Sequence, residues 1–151
     1  MTEMTMQGRR DEIELERLLR LACDPSHAET FLHHFIRALV IVIKDDRPTA
    51  EEAPFGCVDA RHVVMSDGSY AAACFTSEQA VHDAFRHTKT AHWKLARVPA
   101  LVVLSGLPEE IPLLVNPGSE YGVKFDASDR DVLCRRAASL GMVVVPFRAL
   151  H

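Results

Sequence analysis

The sequence predicts an α+β domain, a mainly antiparallel sheet built from hairpins and covered by helices. Three observations predict it. Asp67-Gly68 lies between the β-rich runs 57–65 and 69–75, and Asp-Gly in that setting is among the strongest short hairpin signals. Asn116-Pro117-Gly118-Ser119 lies between two more apolar runs, 111–115 and 121–125. Pro117 presets φ at position i+1 of a turn, and Gly118 accepts the positive φ that a type II turn demands at i+2. Around these hairpins, several segments carry the 3.6-residue spacing of amphipathic helices.

The elements follow in order. In residues 9–22, Leu15, Leu18, Leu19 and Ala22 share a face, with Arg10, Glu14, Glu16 and Arg17 elsewhere. Asp24-Pro25 ends that helix and starts another, Asp24 as N-cap and Pro25 at the first helical position. Residues 25–37 stripe Ala28, Phe31, Leu32, Phe35 and Ile36 inward, then run into a strand at 38–43. Residues 45–56 are polar with two prolines and read as a surface loop. After the Asp-Gly hairpin, Thr76-Ser77-Glu78-Gln79 reads as a capping box with Thr76 as N-cap and Gln79 at N3. The helix that follows turns Ala80, Val81, Ala84 and Phe85 inward. Residues 92–97 form a weak strand, and Pro99 opens a short helix to Leu104 closed by Gly106. Beyond the second hairpin, residues 128–140 make a helix with Val132, Leu133, Ala137 and Leu140 inward, ended by Gly141. Residues 142–147 are a final strand. The expected organisation is a helical extension at 1–24 and one domain at 25–151.

Composition bounds the function. The 151 residues, 48% hydrophobic and 25% charged, suit one domain with a real core. The longest apolar runs, 38–43 and 98–104, fall far short of the roughly 18–20 residues that span a bilayer. No apolar stretch follows the first charges, so no signal peptide is expected. The four cysteines have no Cys-x-x-Cys spacing and read as reduced thiols, which points to the cytoplasm without disulfides. A net charge of −4 disfavours a general nucleic-acid binder.

Three stretches resemble a known family. They are the strand Val40-Ile41-Val42-Ile43, the step Ala71-Ala72-Ala73-Cys74-Phe75 into Thr76-Ser77-Glu78, and Leu114-Val115-Asn116-Pro117-Gly118-Ser119-Glu120-Tyr121-Gly122. In this order they are similar to the SseB N-terminal domain family over roughly residues 30–140. The resemblance implies a small bacterial α+β domain of undefined biochemical activity. It supplies no catalytic residues, and it implies a second, C-terminal domain only in longer members.

The candidate chemistry is sparse. Ser119 on a tight turn invites a nucleophile reading. A nucleophile elbow, however, needs Gly-x-Ser-x-Gly between strand and helix, and here Gly118 directly precedes Ser119 before a strand. The backbone N–H groups of Gly118, Ser119 and Glu120 would instead form an anion nest, opposed by the Glu120 carboxylate. Asn116, at turn position i, is expected to hydrogen-bond the backbone two residues on. His33 and His34 are adjacent and point about 100° apart on a helix, and His82 and His87 are five apart. Glu29 with His33, and Glu78 with His82, share a helix face but offer two ligands where zinc needs three or four. No metal and no cofactor is expected. Cys74 reads as a small buried hydrophobe, whereas Arg130, Arg135 and Arg136 would lower the pKa of Cys134.

Residues 86–97 hold four cationic residues, two histidines and the sole Trp, with no acid. Arg86, Lys89, Trp93 and Arg97 would make an exposed patch for an acidic partner, since Trp and Arg are typical interface anchors. The sequence thus favours a non-enzymatic protein–protein interaction module, binding another protein or a second copy of itself. The alternative is a small enzyme or anion binder acting at residues 116–122.

Overall fold

A computed structural model describes residues 6–22, 24–45, 62–65, 67–86 and 93–142. Their order is α1 (Met6–Leu21), α2 (Pro25–Phe35), β1 (Leu39–Asp45), β2 (His62–Val64), β3 (Tyr70–Cys74) and α3 (Glu78–Ala84). Then come β4 (Trp93–Pro99), α4 (Ala100–Gly106), β5 (Leu113–Val115), β6 (Val123–Phe125) and α5 (Ala127–Ser139). The fold is α+β, as the turn chemistry predicts. Apart from Asp45 and Met142, the expected 45–56 loop and final strand lie outside the described residues.

Strands β2 and β3, β5 and β6, and β1 and β4 pair antiparallel. Both expected hairpins form. At the first, the Asp67 carboxylate accepts from the Ser69 backbone N–H at 2.9 Å, and Gly68 takes φ +85°. The centre of the four-stranded sheet departs from a hairpin-built plan. There β3 and β5 run parallel, Cys74 opposite Val115. The chain between them travels through α3, β4 and α4, which brings it back in the same direction. A bridge between Ile41 and Phe75 ties β1 to the end of β3.

Side chains alternate across a strand, so β1 and β3 feed two cores. Val40, Val42, Ala72 and Cys74 join the larger one, with Leu15, Leu18 and Leu19 of α1 and Phe31 and Phe35 of α2. Phe35 lies 5.5 Å from Phe31 and 5.4 Å from Phe125, ring centre to ring centre. Ile41, Ile43, Ala73 and Phe75 face the other way, against Val81 of α3. Residues 40–43 of the apolar run are therefore a strand segment buried on both faces, which is why they lack alternation, whereas Leu39 at its start is exposed.

Helix ends follow their capping residues. Asp24 caps α2 through the Ser26 N–H at 3.0 Å, with Pro25 next, as expected. Asp126 and Asp129 form a reciprocal capping box that starts α5. Gly106 is the last residue of α4, not a residue beyond it, and extended Leu107 caps the helix.

One correction concerns α5. Leu133 and Ala137 are buried as expected, but Val132 and Leu140 are exposed, and Arg130 is buried in their stead. The reason is the end of α4, whose last turn carries no basic residue. The Arg130 guanidinium donates to the carbonyls of Leu104 at 2.8 Å, Pro108 at 2.7 Å and Glu109 at 2.9 Å. The Leu104 carbonyl is one that a helix C-terminus leaves unpaired, the other two belong to the loop just beyond α4, and the cation complements the negative end of the helix dipole. Its Nε–H finds no acceptor among the described residues.

Arg130→Met removes the guanidinium donors from the Leu104, Pro108 and Glu109 carbonyls, of which Pro108 keeps the Ile111 N–H, and is expected to lower stability by about 3 kcal/mol. Arg130→Lys should recover only part, because an ammonium cannot reproduce the planar fork. Urea denaturation of the three proteins measures both. A loss below about 1 kcal/mol for the Met variant would contradict this role for Arg130.

Candidate functional site

The loop between β5 and β6 is held from inside by one side chain. Asn116 Oδ1 accepts from the Thr76 backbone N–H at 3.0 Å, and Asn116 Nδ2 donates to Thr76 Oγ1 at 2.9 Å. Both residues are buried. The expected local bond from Asn116 to the backbone two residues on is thus replaced by a pair spanning 40 residues. The amide points inward because the backbone beneath it is fixed: the Asn116 N–H donates to the Cys74 carbonyl at 2.9 Å, continuing the parallel β3–β5 ladder.

The same pair moves the α3 cap by one residue. Thr76 is taken by Asn116, so Ser77, in place of Thr76, caps α3 by accepting from the Ala80 N–H at 3.2 Å. Gln79 does not reach back either, and donates to Asp83 at 2.9 Å. Both hydroxyls then turn to α1. Thr76 Oγ1 donates to Glu16 Oε1 at 3.1 Å, and Ser77 Oγ donates to the same oxygen.

Outside this anchor the loop folds as its turn residues dictate. The Ser119 N–H donates to the Asn116 carbonyl at 3.1 Å, and Gly118 has φ +83°, the expected type II turn. Asn116 itself sits at φ +52°, a conformation that asparagine tolerates better than most residues. Ser119 Oγ accepts from the Tyr121 N–H at 3.1 Å. A Cβ at Gly122 would lie 2.8 Å from the Asn116 carbonyl, so the loop closes only with glycine there. Gly118, Ser119, Glu120 and Tyr121 face solvent.

A cleft of about 530 Å³ runs between this loop, α1 and α3. Leu19, Ala80, Ala84 and Pro117 supply apolar surface, and Glu16, Arg20, Asp83, Arg86 and Glu120 supply charge. The structure therefore brings Arg86 together with Asn116, Gly118, Ser119 and Glu120. Arg97 lies apart, paired with Glu12 at 3.3 Å and Glu78 at 3.6 Å. It is half-buried, not exposed as a patch would require, because those carboxylates draw it under α1. Lys89 and the Trp93 side chain lie outside the described residues; the Trp93 backbone pairs with Asp45. The sequence reading missed Glu16, Arg20 and Asp83 at the site. All three look like solvated helix positions until the fold sets them opposite the loop.

Electrostatics around α1 are crowded. Burial pushes the Glu12 carboxyl above its usual range, more than Arg97 pulls it down, with Glu16 and Glu78 adding to the rise. The cysteine expectations divide. Cys74 is buried and its thiol is pushed far up. Cys134 is also raised, since burial outweighs the attraction of Arg130, which overturns the expected lowering. Glu29 pairs with Arg136 at 2.9 Å, across from α5. No cluster of three metal-ligating side chains occurs among the described residues, and no described helix is long and apolar enough to cross a membrane.

A family model described as the SseB protein N-terminal domain matches residues 15–129. The chain belongs to the SseB family. No curated protein and no solved structure matches it. The span matched to the SseB domain begins inside α1 and takes in Glu16, Thr76, Ser77 and the whole 116–122 loop.

Two measurements test the energetics of this SseB site. Asn116→Ala orphans the buried Thr76 N–H and strains a positive φ, so stability should fall by about 3 kcal/mol. Asn116→Gly orphans the same group without that strain and should fall by about 1 kcal/mol less. Equal losses in chemical denaturation would argue against strain at this position. The second test is acid titration. Because the folded pKa of Glu12 is raised, the folded chain holds its proton longer than the unfolded chain as pH climbs past 4.5. Stability from this group therefore falls with rising pH. Glu12→Gln should gain stability relative to the parent between pH 4.5 and neutrality, read by thermal melts; a relative loss across that window would contradict the burial argument.

Proposed function

We propose that this SseB domain is a non-enzymatic module that binds another protein through the cleft beside residues 116–122. The observation carrying the reading is the division of labour within the loop. Its inner side is fixed by buried Asn116, while Gly118, Ser119, Glu120 and Tyr121 project outward beside Arg86. A recognition loop held rigid before binding loses little entropy on complex formation. We place the module in the cytoplasm with reduced cysteines, and assign it a secretion-associated, immunity or accessory role by analogy.

The second reading, a small enzyme or anion binder at the same loop, draws support from Arg20 and Arg86 in the cleft. Two features count against it. Of the three N–H groups of the anion nest, that of Ser119 already closes the turn. The Ser119 hydroxyl serves as an acceptor for Tyr121, and among the described residues no histidine, cysteine or lysine lines the cleft to act on it.

A photo-crosslinking residue at position 119 tests the proposal, with one at exposed Arg135 on α5 as the control. In extract of the native cell, position 119 should yield a discrete protein adduct that position 135 does not. Adduct formation should be lost when Ala84→Glu fills the cleft floor; because Ala84 also packs against the smaller core, a thermal melt checks that the variant is folded. Absence of any adduct at position 119, or the same adduct from both positions, would remove the support for this interface.

A further inference from the structure

We propose that the cleft takes one long basic side chain of the partner protein, an arginine or lysine whose cationic tip meets the Glu120 carboxylate beside the Tyr121 ring. The inference rests on the proposed binding function and names the chemistry of its partner. Charge carries it. Glu16, Asp83 and Glu120 line the cleft against Arg20 and Arg86, so the lining is net negative. Two of these acids are already engaged within the chain. Glu16 receives the hydroxyls of Thr76 and Ser77. Asp83 receives the Gln79 amide at 2.9 Å and lies 3.6 Å from the Arg86 guanidinium. The excess charge therefore lies at Glu120, which is exposed and has no hydrogen-bond or ion-pair partner among the described residues.

The apolar part of the lining selects the shape of the occupant. Leu19, Ala80, Ala84 and Pro117 flank the charges. A Cβ at Gly118 would fall 3.8 Å from the Ala84 Cα, so the loop backbone comes close to α3 and the gap suits an unbranched methylene stem. Arginine and lysine bury such stems along apolar surface while the charged head stays in water. Tyr121 lines the same cleft, is 37% exposed and makes no ring contact among the described residues. A cation over a tyrosine face is attracted by the ring quadrupole. An acidic side chain would instead meet Glu120 as a like charge, and an apolar one would desolvate that carboxylate without a partner.

The probe is the acetylated, amidated pentapeptide Ala-Ala-Arg-Ala-Ala. It is compared with its lysine counterpart, with a citrulline counterpart that keeps the stem and loses the charge, and with free guanidinium ion. Binding is read from amide ¹H–¹⁵N shifts of Ala84, Gly118 and Ser119, which also report that each variant is folded. At least one of the two cationic peptides should shift these amides, and the citrulline peptide should not. Glu120→Gln and Tyr121→Leu should each weaken binding about threefold, Tyr121→Phe should not, and added salt should weaken it. Arg86→Ala should strengthen it about twofold, because Asp83 loses its ion pair and the lining becomes more negative. Equal shifts from the citrulline peptide, no shift from any peptide, or unchanged affinity in Glu120→Gln would overturn the proposal. Guanidinium ion matching the arginine peptide would overturn it in favour of a small-cation site. A crosslinked partner at position 119 without cationic-peptide binding would leave the binding function standing and remove its basic specificity.

Discussion

The reciprocal bond between Thr76 and Asn116 is the constraint on which the rest of the site depends. It joins the ends of two parallel neighbours, β3 and β5, where the chain leaves one toward α3 and the other toward the exposed loop. A buried amide and hydroxyl are costly unless each donor and acceptor is matched. Here Oδ1 takes the backbone N–H, Nδ2 gives to the hydroxyl, and the hydroxyl gives to Glu16. The bonds run in one direction and polarise one another, so loss of any member weakens the others. The same chain decides which residue caps α3 and how α1 lies against the loop.

The two-sided core explains where the cleft falls. Helices α1, α2, α4 and α5 contribute to one core, whereas α3, only seven residues long, packs against the other. A short helix cannot cover a sheet face on its own. The space it leaves is bordered by the loop and by the side of α1 that does not enter the core. Leu15, Leu18 and Leu19 hold α1 in place, which frees Glu16 and Arg20 to face the loop.

Local chemistry was legible in the sequence and long-range pairing was not. Asp67-Gly68, Asn116-Pro117-Gly118 and Asp24-Pro25 act within four residues, so their residue types alone specify a turn or a cap. The capping residue of α3 could not be read correctly from Thr76-Ser77-Glu78-Gln79, because Asn116 competes for Thr76 from across the sheet. The inward face of α5 was misread in the same way. Counting apolar positions admits Val132 and Leu140, while the carbonyls that end α4 claim Arg130 for the interior. The parallel β3–β5 pairing was equally hidden, since nothing in either strand records which neighbour it meets. Of the site, residues 116–120 and Arg86 were legible as an exposed turn and a cation, but not their convergence. Their facing walls, Glu16 and Arg20 on α1, carry no signal beyond that of a solvated helix.

The absent side chain at Gly122 has a consequence for how the family signature can vary. The Asn116 carbonyl occupies the place of a Cβ there, and the same carbonyl closes the turn to Ser119. Positions 118–121 lie between these two fixed points with their side chains toward solvent. Sequence drift in this domain is thereby channelled: the frame, Asn116 and Gly122, resists exchange, while Ser119, Glu120 and Tyr121 are open to it. One backbone geometry can then display different surface chemistries, so the exposed face of the loop is free to change without refolding the loop itself.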